Sequence, residues 1–169
     1  YYLKYYFSPE IGLPENNLHK KSEDFDQNRG NGVNDRYICK LIREDSLDIF
    51  IPYVAQNTIS FTSTINPSIF ETNPFLIKKK PSLIEYATFY GSIKIFQYLH
   101  SKGVELTSSL WMYSIHSNNV EIIQILKDNS IEPNNVNEIL KESIKCFYQS
   151  IEEHIKDSHY NSIHKYDVT

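Results

Sequence analysis

The chain has 169 residues, 40% of them hydrophobic and 22% charged, with 17 basic against 21 acidic side chains and a net charge of −4. That length suits one domain, or one domain with a tail, and the composition argues against both a disordered chain and a dedicated nucleic-acid binder, which would carry a basic stripe. Two distant cysteines, Cys39 and Cys146, argue against a disulfide framework and for a reducing, cytoplasmic setting, and no apolar run is long enough to make a membrane partner.

Residues 1–35 read as an upstream remnant and a polar linker. The aromatic run Tyr1 to Phe7 lacks the layout of a signal peptide, and Ser8 to Asp35 mixes Pro9, Gly12, Pro14, Gly30 and Gly32 with polar side chains. The only methionine is Met112, so the expectation is a piece of a longer chain that continues into further repeats. From 37 to 55, Tyr37, Ile38, Leu41 and Ile42, followed by Leu47, Phe50, Ile51 and Val54, predict a pair of helices. Pro52 is expected to kink or shorten the second. Residues 56–81 form an insertion too apolar for a free loop, with Ile59, Phe61, Ile65, Phe70 and Leu76. It is expected to pack back on the helices, with a short helix near Pro67 to Glu71. Lys78-Lys79-Lys80 is the one dense positive patch. It reads as a solvated turn, with a nuclear-localisation or anion contact as the sharper alternative.

A repeat follows. The segment from Ser82, S-L-I-E-Y-A-T-F-Y-G-S-I-K-I-F-Q-Y-L, is echoed from Ser109 by S-L-W-M-Y-S-I-H-S-N-N-V-E-I-I-Q-I-L, and more weakly from Glu138. Ala87, Ser114 and Ser143 share one small-residue slot, spaced about 27 and then 29 residues, within the range of helical repeats. Each copy reads as two short antiparallel helices, at 82–103, 109–130 and 137–157. Ser82 with Glu85 makes a capping box at the start, and Gly91 or Asn118 turns the chain in the left-handed region. A small slot permits close helix crossing, and a single pair cannot bury its apolar face alone. The fold class expected is therefore all-α: a short solenoid of stacked antiparallel helix pairs over 36–157, with a polar tail at 158–169.

No phosphate loop, nucleophile elbow, H-E-x-x-H or dinucleotide glycine pattern is present. His154, His159 and His164 stand five apart, which does not place them on one helix face, and they read as surface or packing residues. Cys146 with a nearby histidine suggests a nucleophile pair only weakly, because nothing in the sequence fixes a geometry. The expectation is no enzyme, no cofactor and no metal.

The run from Ser82 resembles an ankyrin repeat in its alanine, both glycine positions, the apolar second helix and the closing acidic residue. The phrases P-S-I-F-E-T-N-P-F-L-I-K-K, S-L-I-E-Y-A-T-F-Y-G-S-I-K-I-F and G-V-E-L-T-S-S-L-W resemble, more narrowly, a divergent ankyrin-like family of unknown function expanded in parasitic protists. The T-P-L-H motif is degraded to Ser82-Leu83-Ile84-Glu85, and the shortfall in repeat length falls in the finger between units. The resemblance implies a module that binds a protein partner through the inner-helix and turn face. Its contact residues would be Phe89, Tyr90, His116, Ser117 and Lys145 at the ends of first helices, with Glu105, Thr107, Glu132 and Asn134 on the turns. Two readings stay open for Phe89, a partner anchor or packing against the preceding unit, whereas Tyr90 is expected to be exposed. The rival function is a structural segment of a larger repeat array; an enzyme is a distant third.

Overall fold

The structure is a computed structural model that describes Phe7 and residues 24–146. The helix expected from Tyr148 to Asp157, the polar tail and His154, His159 and His164 lie outside the described residues, as do 1–6 and 8–23. Among the described residues the chain is all-helical, with no strand and one isolated antiparallel bridge between Thr64 and Ser82. The helices are α1 (Phe25–Asn31), α2 (Tyr37–Arg43), α3 (Leu47–Gln56), α4 (Pro74–Lys79), α5 (Leu83–Tyr90), α6 (Ile93–Ser101), α7 (Leu110–Ser117), α8 (Val120–Asp128) and α9 (Val136–Lys145).

The backbone repeats itself three times. Asp45, Gly91 and Asn118 each take a left-handed conformation (φ 48°, 70° and 49°) between a first helix and a second. Thr58, Gly103 and Ser130 do the same after the second helix (φ 52°, 85° and 55°). At each of these later turns one amide reaches back to a carbonyl of the last helical turn: Ile59 to Val54 (3.0 Å), Val104 to Leu99 (3.2 Å) and Ile131 to Leu126 (2.9 Å). This is the Schellman closure, in which two apolar side chains flank the turn and orphan carbonyls are satisfied. The starts are equally legible. Glu85 donates its amide to Ser82 Oγ while Ser82 donates its own to Glu85 Oε2, so the expected capping box opens α5.

The first helices of the pairs lie in a row, α2 on α5, α5 on α7 and α7 on α9, and α3 packs on α6. Ala87, Ser114 and Ser143 are all buried in this row, as close crossing requires. The two serine hydroxyls donate to carbonyls of their own helices, Trp111 and Leu140. Leu41 takes the corresponding place in α2 and is likewise buried. Neighbouring units are stitched at their turns. Both carboxylate oxygens of Asp45 accept amides at the start of α6, from Ile95 (2.9 Å) and Lys94 (3.0 Å). Ser92 Oγ donates to the Ile42 carbonyl, and Asn119 Nδ2 to the Gly91 carbonyl at 3.0 Å. An N-terminal cap supplied from another unit fixes the two units in register as well as in distance.

Three local expectations change. Residues 25–31, read as linker, form α1. Phe25 is buried edge-on against Phe70, with centroids 5.4 Å apart, and Gly32 ends the helix in the left-handed region. The insertion's helix is α4, not a turn at Pro67 to Glu71: Asn73 Oδ1 accepts the amides of Phe75 and Leu76, and Pro74 takes the first helical position, where its missing N–H costs nothing. Finally, α3 runs past Pro52 to Gln56, with the proline on its exposed side. The insertion does fold back, burying Ile65, Phe70 and Leu76 and pairing Ile65 N with the Pro81 carbonyl.

Gly91→Val tests the turn register. A Cβ there would stand 3.3 Å from Ser117 Cβ, and a β-branched residue resists φ +70°. The expected loss is about 2 kcal/mol in urea unfolding; an unchanged midpoint would refute the turn.

Candidate functional site

Because α5, α7 and α9 run side by side, their C-terminal ends form one edge, and five of the expected contact residues stand on it. Phe89 and Tyr90 close α5, His116 and Ser117 close α7, and Lys145 closes α9. The insertion covers this edge. Phe75 of α4 stacks on Phe89 (centroids 6.0 Å), meets Tyr113 edge-on (5.0 Å) and tilts against His116 (4.5 Å), while His116 also stacks on Phe89 (4.7 Å). Phe89 is therefore 8% exposed, a packing residue rather than a free anchor. Tyr90, expected to be exposed, is half-buried: its ring meets Tyr86 at 4.8 Å and lies under the Arg43 guanidinium at 5.9 Å. Arg43 in turn donates to Tyr86 Oη (3.0 Å) and to the Asn34 carbonyl (2.8 Å). Burial pushes the phenols of Tyr86 and Tyr90 above their ordinary range. Ser117 is a turn residue, donating to the Ser114 carbonyl and accepting the Asn119 amide.

The other expected contacts lie elsewhere. Glu105, Thr107, Glu132 and Asn134 are exposed on the connections between units. Thr107 bonds Ser109, which donates to Glu85 at the start of α5, so this rim lies at the opposite end of α5 from Phe89.

The edge also gathers a cluster that the sequence reading missed. Glu142 and Cys146 are four residues apart at the end of α9, a spacing that puts both on one face. That face meets His116. Nε2 of the ring lies 3.4 Å from Glu142 Oε1, and Nδ1 lies 3.6 Å from Cys146 Sγ. Despite the short distance, Nε2 is buried and makes no hydrogen bond. Lys145 Nζ holds the same carboxylate at 2.7 Å, and the hydrogen bond raises the lysine's pKa. Burial lowers the pKa of His116, against an opposing pull from Glu142. Burial, and then the Glu142 carboxylate, raises that of the Cys146 thiol. A nucleophilic cysteine needs the reverse, a thiolate stabilised by imidazolium. The arrangement therefore offers a neutral imidazole, a thiol and a carboxylate, a set of Lewis bases rather than an activated pair. Cys39, the other thiol, is fully buried and pushed up to about 12 by that burial.

A second feature lies on the other side of α4. A cavity of about 440 Å³ opens between the insertion and α5, walled by Ile65, Pro67, Leu76, Ile77 and Pro81 and bordered by Phe7 and Lys80. Its buried polar residues, Asn34 and Glu71, are already paired. Glu71 accepts the amides of Asn34 (3.3 Å) and Asn73 (2.9 Å), and Asn34 Nδ2 donates to the Asn66 carbonyl (2.9 Å). What remains open is apolar wall, the chemistry of a site for a hydrocarbon or aromatic group.

Phe75→Ala tests the covering of the edge. Removing a half-buried ring that touches three others should cost about 2 kcal/mol in urea unfolding, and Phe75→Leu clearly less. Equal stability of Phe75→Ala and the parent would mean that α4 is not seated there.

Comparison of the chain with family models, with curated proteins and with solved structures finds no match in any of the three.

Proposed function

We propose that this chain is a non-catalytic protein-interaction module, a short α-solenoid of ankyrin-like helix pairs, and that it takes an apolar side chain of a protein partner into the cavity beside α4. The observation that carries the reading is the cavity itself: apolar walls, buried Asn34 and Glu71 that already hold hydrogen bonds, and Phe7 of the same chain, 45% exposed, at its border. An aromatic side chain brought there from far along the sequence is the kind of group such a wall accepts. Ile77 at its rim is 54% exposed, and Lys78, Lys79 and Lys80 stand exposed beside it. A partner segment with an aromatic or aliphatic anchor flanked by acidic residues fits that charge, since rim charges speed encounter and set orientation. The repeated left-handed turns support the ankyrin-like architecture, and two free thiols fit a reducing, cytoplasmic setting. No helix among the described residues is long and apolar enough to cross a membrane.

The rival reading, a segment of a larger repeat array, is favoured by Ile144, which is 64% exposed on α9, the last described helix of the inner row.

Capture from the source cell, with cross-linking and mass spectrometry, tests the first reading. The expected result is one partner cross-linked to Lys78, Lys79 or Lys80, with capture by Ile77→Glu reduced about tenfold or more. Ile77 is exposed enough for that change to leave the fold intact. Undiminished capture by Ile77→Glu would place the contact elsewhere.

A further inference from the structure

We propose that His116, Glu142 and Cys146 form a binding site for a late first-row divalent cation, Zn²⁺ by chemistry, that ties α9 to α7. The three side chains supply one imidazole nitrogen, one carboxylate oxygen and one sulfur, all within 4.8 Å of one another. In a tetrahedral zinc site the bonds to nitrogen, oxygen and sulfur are about 2.0–2.3 Å, so the ligand atoms stand about 3.3–3.6 Å apart. The Nε2 to Oε1 separation of 3.4 Å already matches one such edge. Cys146 Sγ stands 3.6 Å from the other ring nitrogen and completes the set by a side-chain movement. Cys146 stands at the C-cap of α9, where a side-chain rotation supplies that movement.

The unused nitrogen is the second observation. Nε2 of His116 is shielded from solvent, faces a carboxylate, and forms no hydrogen bond. A buried polar atom left in this state calls for an explanation, and an ion is one of the few available. Metal ligation takes a histidine as the neutral ring and a cysteine as the thiolate, so the cation must displace the thiol proton as it binds. Binding then forms metal–nitrogen, metal–oxygen and metal–sulfur bonds and releases one proton, that of the thiol, to solvent. Sulfur and imidazole together select zinc-like ions over magnesium or calcium. The aromatic rings of Phe75 and Phe89 against His116 fix the plane of the ligating ring, the orienting role that surrounding contacts play in metal sites. Water takes the fourth position. Lys145 is the competitor, and its side chain is 69% exposed, so its ammonium can leave the carboxylate for water.

Cobalt titration of the metal-stripped full chain tests the site. One equivalent of Co²⁺ should produce a sulfur-to-cobalt charge-transfer band in the near ultraviolet with tetrahedral bands in the visible, and Zn²⁺ should bleach both. Cys146→Ser should abolish the charge-transfer band while circular dichroism shows the helices intact. Glu142→Gln should weaken Co²⁺ binding at least tenfold, and Lys145→Ala should strengthen it several-fold by freeing the carboxylate, an effect that a merely structural lysine would not give. Two results would overturn the proposal: no charge-transfer band at saturating Co²⁺, or a band that survives Cys146→Ser, which would assign the sulfur to Cys39.

Discussion

The fold depends on a helix with no free face. Six of the eight residues of α5 are buried, on sides that meet α2, α6 and α7. Such a helix cannot carry an amphipathic stripe and a solvated back; it must fit its neighbours all round. That requirement explains Ala87, which is small where α7 crosses closely, and Thr88, whose hydroxyl donates to the Ile84 carbonyl at 2.7 Å because no water reaches it. It also explains Tyr86, whose fully buried ring keeps its hydroxyl satisfied through Arg43. Neighbouring helices inherit the constraint. Once α5 is fixed, α7 must present Ser114 and α9 must present Ser143 to keep the row closely spaced.

How much of this the sequence displayed differs from element to element. The pairs from Ser82 to Asp128 were readable because apolar spacing, small slot and turn residue agree at every level. Asn118 announced its left-handed turn, since asparagine is a usual substitute for glycine there. Asp45, Thr58 and Ser130 make the same turn without such an announcement. Their conformation is imposed by the helices they join, and for Asp45 also by the two amides its carboxylate caps. The insertion offers two proline signals, Pro67 and Asn73-Pro74, and only the second pairs a side-chain cap with a first-turn proline, which is where the helix forms. α1 is hidden for a different reason: one apolar residue, Phe25, and one glycine, Gly30, in seven residues give no period to detect, and its place is set by Phe70 in a distant segment.

The edge formed by Phe89, His116 and Lys145 shows where register helps and where it stops. Alignment of the repeats correctly brings these three positions to the ends of adjacent helices. It cannot show that an insertion from earlier in the chain lays Phe75 across them and withdraws Phe89 from solvent. Nor can it show the pairing of His116 with Glu142 and Cys146. Those contacts depend on the rotation of α9 against α7, and the glutamate-to-cysteine spacing alone is common on helices. Tertiary packing, not local pattern, creates the cluster.

The insertion therefore divides the surface into two chemistries. On one side of α4, Phe75 seals the helix ends and makes a partly dry setting in which an imidazole, a thiol and a carboxylate face one another. On its other side, Leu76 and Ile77 wall an open apolar cavity with lysines at the rim. A six-residue helix does both because successive side chains at its start point to different faces, and its anchorage is strong for its length: an asparagine cap, a first-turn proline, and the Ile65 and Leu83 amides bonded across the base of the insertion. In the usual logic of helical repeats an insertion is tolerated because it touches little. Here it is bound into the core at both ends, by the Ile65 and Leu83 amides at its base and by Phe70 against Phe25, so it is part of the packed structure rather than an appendage to it.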